Sequence, residues 1–207
     1  MQYATFRDKQ VTQLMISKGI LTVDDLSIDN ICEIFNIDII YHPKRSNCFN
    51  DDDYSLIYLD NRLPYNEQRF KFFHELSHVL FHTGKQKEMN KQFNILQESQ
   101  AYWIALYTSM PRHIFEPLLL NSRSIETLIE LFELPQDLIA ARIETIRRAR
   151  ERFSYQMKIA AQNERHRSKS LQPGRVYDTT TSIVKQLANQ VGEENINYEV
   201  KRLLRGN

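Results

Sequence analysis

The sequence predicts an α+β protein: a small sheet packed on helices that carry an HExxH motif and a third, glutamate ligand, followed by a mostly helical C-terminal region. Three observations support this. The runs IDIIY (37–41) and YSLIYLD (54–60) are rich in β-branched and aromatic residues and read as strands. The run RFKFFHELSHVLFH (69–82) sets histidines at positions i and i+4 within an apolar helical body. Beyond residue 111 the apolar residues recur at helical spacing with hardly a strand signal.

In chain order, Phe6, Val11, Leu14 and Met15 give a helix over 6–18 that stops at Gly19, a residue suited to a left-handed helix end. Ile28, Ile31, Cys32, Ile34 and Phe35 give a second helix, with Ser27 or Asp29 as its N-cap. The strand IDIIY follows, then NCFNDDD as a turn, then YSLIYLD as a second strand. Asn66 is the expected N-cap of the motif helix, which should end near Gly84. Leu96, Trp103, Ile104 and Tyr107 place another helix over 94–109, stopped by Pro111. SIETLIELFELPQDLIAARIETIRRARERF reads as two helices broken at Leu134-Pro135, the second extending past residue 160. SKSLQPGRVYDTTTS has linker composition, leaving 182–207 as one or two short helices. The expected organisation is a core over 1–111, a helical region over 112–170 and a linker with a helical tail over 171–207.

A chain of 207 residues with 42% hydrophobic content holds one substantial core. A formal net charge of +1 by itself argues for neither nucleic acid nor an anionic membrane surface as the main partner. Charge is uneven, however: nine acids face Lys44 and Arg45 over 21–60, and ten bases face Glu144, Glu151 and Glu164 over 140–175. Cys32 and Cys48 are read as reduced thiols, since a chain of this length needs no disulfide. With no apolar run long enough to span a membrane and no leader-like N-terminus, a cytoplasmic location without membrane contact is expected.

The motif carries the chemistry. On a helix of 3.6 residues per turn, His74 and His78 lie one above the other and can aim both imidazoles at one ion. Glu75 projects where it can reach a water at that ion without being a ligand. The competing reading is a core helix with surface histidines, which a third histidine on the stripe, His82, makes awkward, because unpaired buried imidazoles are costly. A catalytic zinc needs three protein ligands and an open position. The extended pattern with a third histidine would need Gly at 81 and His at 84, where the chain has Phe81 and Gly84. His82 follows on the same straight helix and suits a supporting place behind the ligands. Glu98, on the next helix, is the remaining candidate for a His2Glu site.

With RFKFFHELSHVLFH followed by ESQAYWIALYTSMP, the chain resembles the ImmA/IrrE family of metallopeptidases, whose pattern is an HELGH helix with a further histidine, then E-x-x-AN-x-FA-x-x-LLMP. The resemblance covers about residues 25–111, more loosely to about 150. It implies His74, His78 and Glu98 as metal ligands, Glu75 as general base, a zincin-like fold, and zinc, with manganese or iron also able to occupy such a site. It further implies a substrate: a helix-turn-helix repressor whose cleavage relieves repression of a mobile element, prophage or stress regulon. Ser77, Tyr102 and Ile104 stand where the family usually has Gly, Asn and Phe.

YSLIYLD reads equally as an interior strand of the sheet or as an edge strand able to pair with an extended substrate, and on the second reading peptide binding is expected at Leu56, Ile57 and Tyr58. An alternative function is a DNA-binding or repressor-binding regulator without protease activity. It would use the helices over 124–152, with Arg142, Arg147, Arg148, Arg150 and Arg152 as a basic stripe. Against direct DNA binding, the first of those helices is acidic and its turn lacks glycine.

Overall fold

In a computed structural model of the protein, residues 5–51, 54–82, 90–122, 124–170, 178–198 and 200–201 are described. The Thr5 hydroxyl accepts from the Asp8 backbone N–H at 3.3 Å and caps α1, Phe6–Ser17, after which Gly19 turns the chain at φ +78°. A 3-10 turn at Asp24–Leu26 leads to α2, Ile28–Phe35. Ser27 holds the N-cap position without a side-chain bond, and Asn36 closes the helix in the left-handed region at φ 52°, a conformation its short polar side chain tolerates.

Three strands follow: β1, Ile37–His42; β2, Asn47–Asp51; and β3, Tyr54–Asp60. The sheet order is β1-β3-β2, with β1 parallel and β2 antiparallel to β3. Two expectations are corrected here. The stretch beginning NCFND is not a turn but an edge strand, with Cys48 opposite Ile57; its polar, largely exposed residues hide the alternation that marks a half-buried strand. Residues 52–53 of the same stretch lie outside the described residues. YSLIYLD, in turn, is not an edge but the central strand, so its backbone groups are already bonded to β1 and β2. Leu56 and Ile57 are 7% and 0% exposed. Strand addition at Leu56, Ile57 and Tyr58 is therefore closed.

The motif helix α3 spans Tyr65–Phe81 with Pro64 in the N-cap position. Asn66, the expected cap, sits within the first turn, and its side chain accepts from the Glu67 N–H at 3.0 Å. The helix ends at Phe81 with His82 extended beyond it; Gly84 lies outside the described residues. Helix α4, Lys91–Ser109, begins before the expected Asn94 because Asn90 caps it, accepting from Gln92 N–H at 3.1 Å. Then come α5, Arg112–Asn121; α6, Ile125–Phe132; and α7, Gln136–Ser170, the last two broken at Leu134-Pro135 as expected. Of the expected linker, 171–177 lie outside the described residues, while Asp178–Ser182 open α8, Asp178–Val191, a helix seated on buried Val184 and Ala188. None of the helices among the described residues is long and apolar enough to cross a membrane.

The chain divides into two units, Met1–Arg152 and Phe153–Asn207, with α7 contributing to both. The expected boundary after residue 111 does not divide the core: Phe115, Phe132, Leu138 and Ile146 join Val11, Met15, Ile57 and Leu76 in one buried cluster. Three buried arginines tie this first unit together. Arg69 of α3 donates to Phe132 O and Leu26 O, both at 2.9 Å. Arg142 of α7 donates to Asp8 Oδ1 at 2.7 Å and Met110 O at 2.9 Å, and lies over the Tyr107 ring. Arg112 also donates to Asp8, at 3.2 Å.

Burial of Arg142 corrects its reading as part of an exposed basic stripe. Its neighbours are also engaged: Arg147 and Arg148 with Glu144, and Arg150 with Glu116. This leaves few of these cations available to phosphates. Removing one member of a buried ion pair leaves the other charge uncompensated, at a cost of about 3–5 kcal/mol. Because Arg112 still pairs with Asp8 in Arg142→Ala, that substitution should lower urea-unfolding stability by less than that amount, whereas Asp8→Ala, which takes the shared carboxylate from two buried guanidinium groups, should cost the full amount.

Candidate metal centre

Phe72, Phe73 and Leu76, all 0% exposed, anchor α3 in the core and fix its rotation about its own axis. That rotation points His74 and His78 toward α4. There Ala101 and Ala105, also fully buried, keep one face small, so the two helices can approach closely. The departures from the family pattern are accommodated. The Ser77 hydroxyl donates to Phe73 O at 2.7 Å, so it needs no further partner. Tyr102 stacks edge-on against Phe70, with centroids 5.7 Å apart.

Across this helix pair His74 Nε2 and His78 Nε2 stand 3.3 Å apart. Glu98 of α4 lays its carboxylate over both, Oε2 3.2 Å from His74 Nε2 and Oε1 3.5 Å from His78 Nε2. A tetrahedral ion with bonds of about 2.0–2.1 Å has ligand atoms about 3.3 Å apart. The donor set therefore fits a divalent metal such as zinc in both chemistry and spacing, and His74, His78 and Glu98 group together as potential ligands. Glu98 is 47% exposed at its side chain, whereas His78 is 5% exposed, so the centre is rooted in the protein and open on one side.

Burial sets the protonation states. It pushes His78 down to about 4, helped by the neighbouring His74 and His82 imidazoles and opposed by Glu98. It also lowers His74. Both rings are consequently neutral at cellular pH, with lone pairs free for an ion. Burial raises Glu75 to about 7, opposed by a hydrogen bond from the Cys48 thiol and reinforced by the Glu98 charge. The same burial and the Glu75 carboxylate push Cys48 up to about 12, which makes it a thiol donor rather than a thiolate.

The structure thus brings His74, Glu75, His78, His82 and Glu98 together, and His82 Nδ1 meets His78 Nδ1 at 2.9 Å, behind the ligand face. Leu56, Ile57 and Tyr58 remain on the central strand. Cys48 was not foreseen as a neighbour of Glu75, because its stretch read as a turn; nothing in the local sequence distinguishes it.

A carboxyl whose folded pKa lies above its unfolded value disfavours the folded state once the unfolded chain ionises. In metal-stripped protein Glu75 should therefore erode stability as pH rises from about 4.5 to about 7. Glu75→Gln should raise the Tm of the stripped protein at pH 8 and leave it nearly unchanged at pH 4, as scanning calorimetry would show.

The Peptidase_M78 family, the IrrE N-terminal-like domain, matches residues 32–144, more than half of the chain and both halves of the ligand set. The chain is 25% identical over 161 residues to the phage-like element PBSX protein XkdA of Bacillus subtilis (strain 168), covering 76% of this chain and 81% of that one. It is also similar to the solved structure of a Mycobacterium tuberculosis transcriptional regulator, at 13% identity and a TM-score of 0.48 over 67% of this chain; that similarity spans 47% of the regulator, about half its length. With the HExxH motif, Glu98 and the surrounding helices all inside the matched region, the chain belongs to the IrrE N-terminal-like family of metallopeptidase-type domains.

Proposed function

We propose that this protein is a metal-dependent endopeptidase, zinc being the best-fitting ion, that cuts a helix-turn-helix repressor and so relieves repression of a mobile element, prophage or stress regulon. The observation that supports it most is the convergence of His74, His78 and Glu98 at one point, with buried Glu75 beside them. A purely structural site has no use for that carboxylate.

A divalent ion held by the three ligands supplies Lewis acidity toward the scissile carbonyl and toward the attacking water. Glu75 Oε accepts the proton of that water and returns it to the departing amine, a task favoured by a carboxyl poised near neutrality. The Cys48 thiol holds the Glu75 carboxylate in place. An extended substrate has a natural platform at β2, whose outer edge has no strand partner among the described residues and which packs on α3, with Asn50 donating to Val79 O at 3.3 Å. This platform replaces Leu56, Ile57 and Tyr58. The repressor as substrate rests on the family membership.

Incubated with the repressor encoded beside it, wild-type protein should release two fragments, and chelation should stop the reaction. Glu75→Gln should keep one equivalent of metal and cut about 10²–10⁴-fold more slowly. Glu98→Ala should lose both metal and cleavage. A Glu75→Gln variant that binds metal and cuts at the wild-type rate would remove the peptidase mechanism.

A further inference from the structure

We propose that Phe70 and Tyr102 form an aromatic subsite beside the metal centre, which takes a large apolar side chain of the substrate one or two residues from the cleaved bond. The inference deepens the peptidase reading above and rests on it.

Helical periodicity places the subsite. Phe70 stands four residues before His74 on α3, and Tyr102 four residues after Glu98 on α4. Each therefore lies one turn along the helix face that carries a ligand. The two faces converge there, because the Phe70 and Tyr102 rings meet edge to face at 74°, with centroids 5.7 Å apart. One helical turn is about 5.4 Å, and an extended peptide advances about 3.3 Å per residue. A chain whose scissile carbonyl sits at the metal thus brings a side chain one or two residues from that bond onto the ring pair.

The pair is both open and held in place. Tyr102 is 36% exposed and shares its helix stripe with the half-exposed Glu98, so its ring borders the open side of the centre. Besides Phe70 it meets the Trp103 ring, with centroids 5.5 Å apart. A tyrosine braced by two rings offers a large contact area at little cost in side-chain freedom. Ile95, three residues before Glu98 and also exposed, continues the stripe on the other side of the ligand. Apolar surface that flanks an exposed carboxylate in this way is a contiguous patch, the kind that marks binding, rather than scattered single residues.

Ring faces and edges reward apolar area and other rings. A methylene missing from an apolar pocket costs about 10–200-fold in kcat/KM. The subsite should therefore separate a phenylalanine or leucine from an alanine at that substrate position by tenfold or more.

The test is a calorimetric titration of phenylpropionohydroxamate and, separately, acetohydroxamate into the full chain, zinc-loaded at one equivalent and metal-stripped. Both compounds grip a metal through two oxygens and lay the acyl chain beside it; only the first carries a ring. The expected result is zinc-dependent binding of both, tenfold or more tighter for the phenylpropionyl compound. Emission of Trp103, the one tryptophan of the chain, should change with that compound and not with acetohydroxamate. Tyr102→Asn, at an exposed position, should remove most of the ratio between the two. Equal affinities in the wild-type protein overturn the proposal. So does a ratio that Tyr102→Asn leaves intact, since the ring would then lie elsewhere, or a loss shared equally by both compounds, which would make Tyr102 structural only. Absence of zinc-dependent binding by acetohydroxamate would instead remove the metal centre on which the subsite depends, so the two readings fail separately.

Discussion

An α-helix can aim two imidazoles at one point but not a third ligand, so everything about this centre depends on how α3 packs against α4. His74 and His78 belong to one helix and Glu98 to the other. A rotation of either helix by one residue would carry a ligand out of reach, because neighbouring residues on a helix point about 100° apart. The fully buried Phe72, Phe73 and Leu76 on one side and Ala101 and Ala105 on the other hold that rotation.

The helices after residue 111 serve the same end. Arg69 reaches from the motif helix to carbonyls of the Asp24–Leu26 turn and of α6, and Arg142 joins α7 to α1 and to the end of α4. Buried guanidinium groups with several carbonyl and carboxylate partners fix direction as well as distance, because their donors lie in one plane. A region that reads by composition as a separate basic module is in this way part of the framework around the centre. Its exposed arginines are largely matched by glutamates on the same or neighbouring helices.

Burial also gives two groups opposite tasks within a few residues. It keeps His74 and His78 neutral, as their proposed role of ligands needs, and lifts Glu75 toward neutrality, as its proposed role of proton carrier needs. Glu98 stays half exposed, which suits a carboxylate ligand on the open side. The same low-polarity surroundings put the Cys48 proton at the service of Glu75.

The i and i+4 histidines were legible in the sequence because helical periodicity puts them on one face, the intervening glutamate because it completes the HExxH motif, and the glutamate of the next helix as the remaining candidate ligand and through the resemblance to the family pattern. So were the breaks at Gly19, Pro111 and Leu134-Pro135, where backbone chemistry forces the chain to turn. The identity of the edge strand was not: NCFND is polar enough to read as a turn, and YSLIYLD is apolar because it lies between two strands. Nor were the partners of Arg142, Arg69, Cys48 and His82, since Asp8 lies 134 residues from Arg142 and no local pattern marks such a pair. Local periodicity determined which groups could act together; long-range packing decided which of them are buried, and burial sets their charge and their partners.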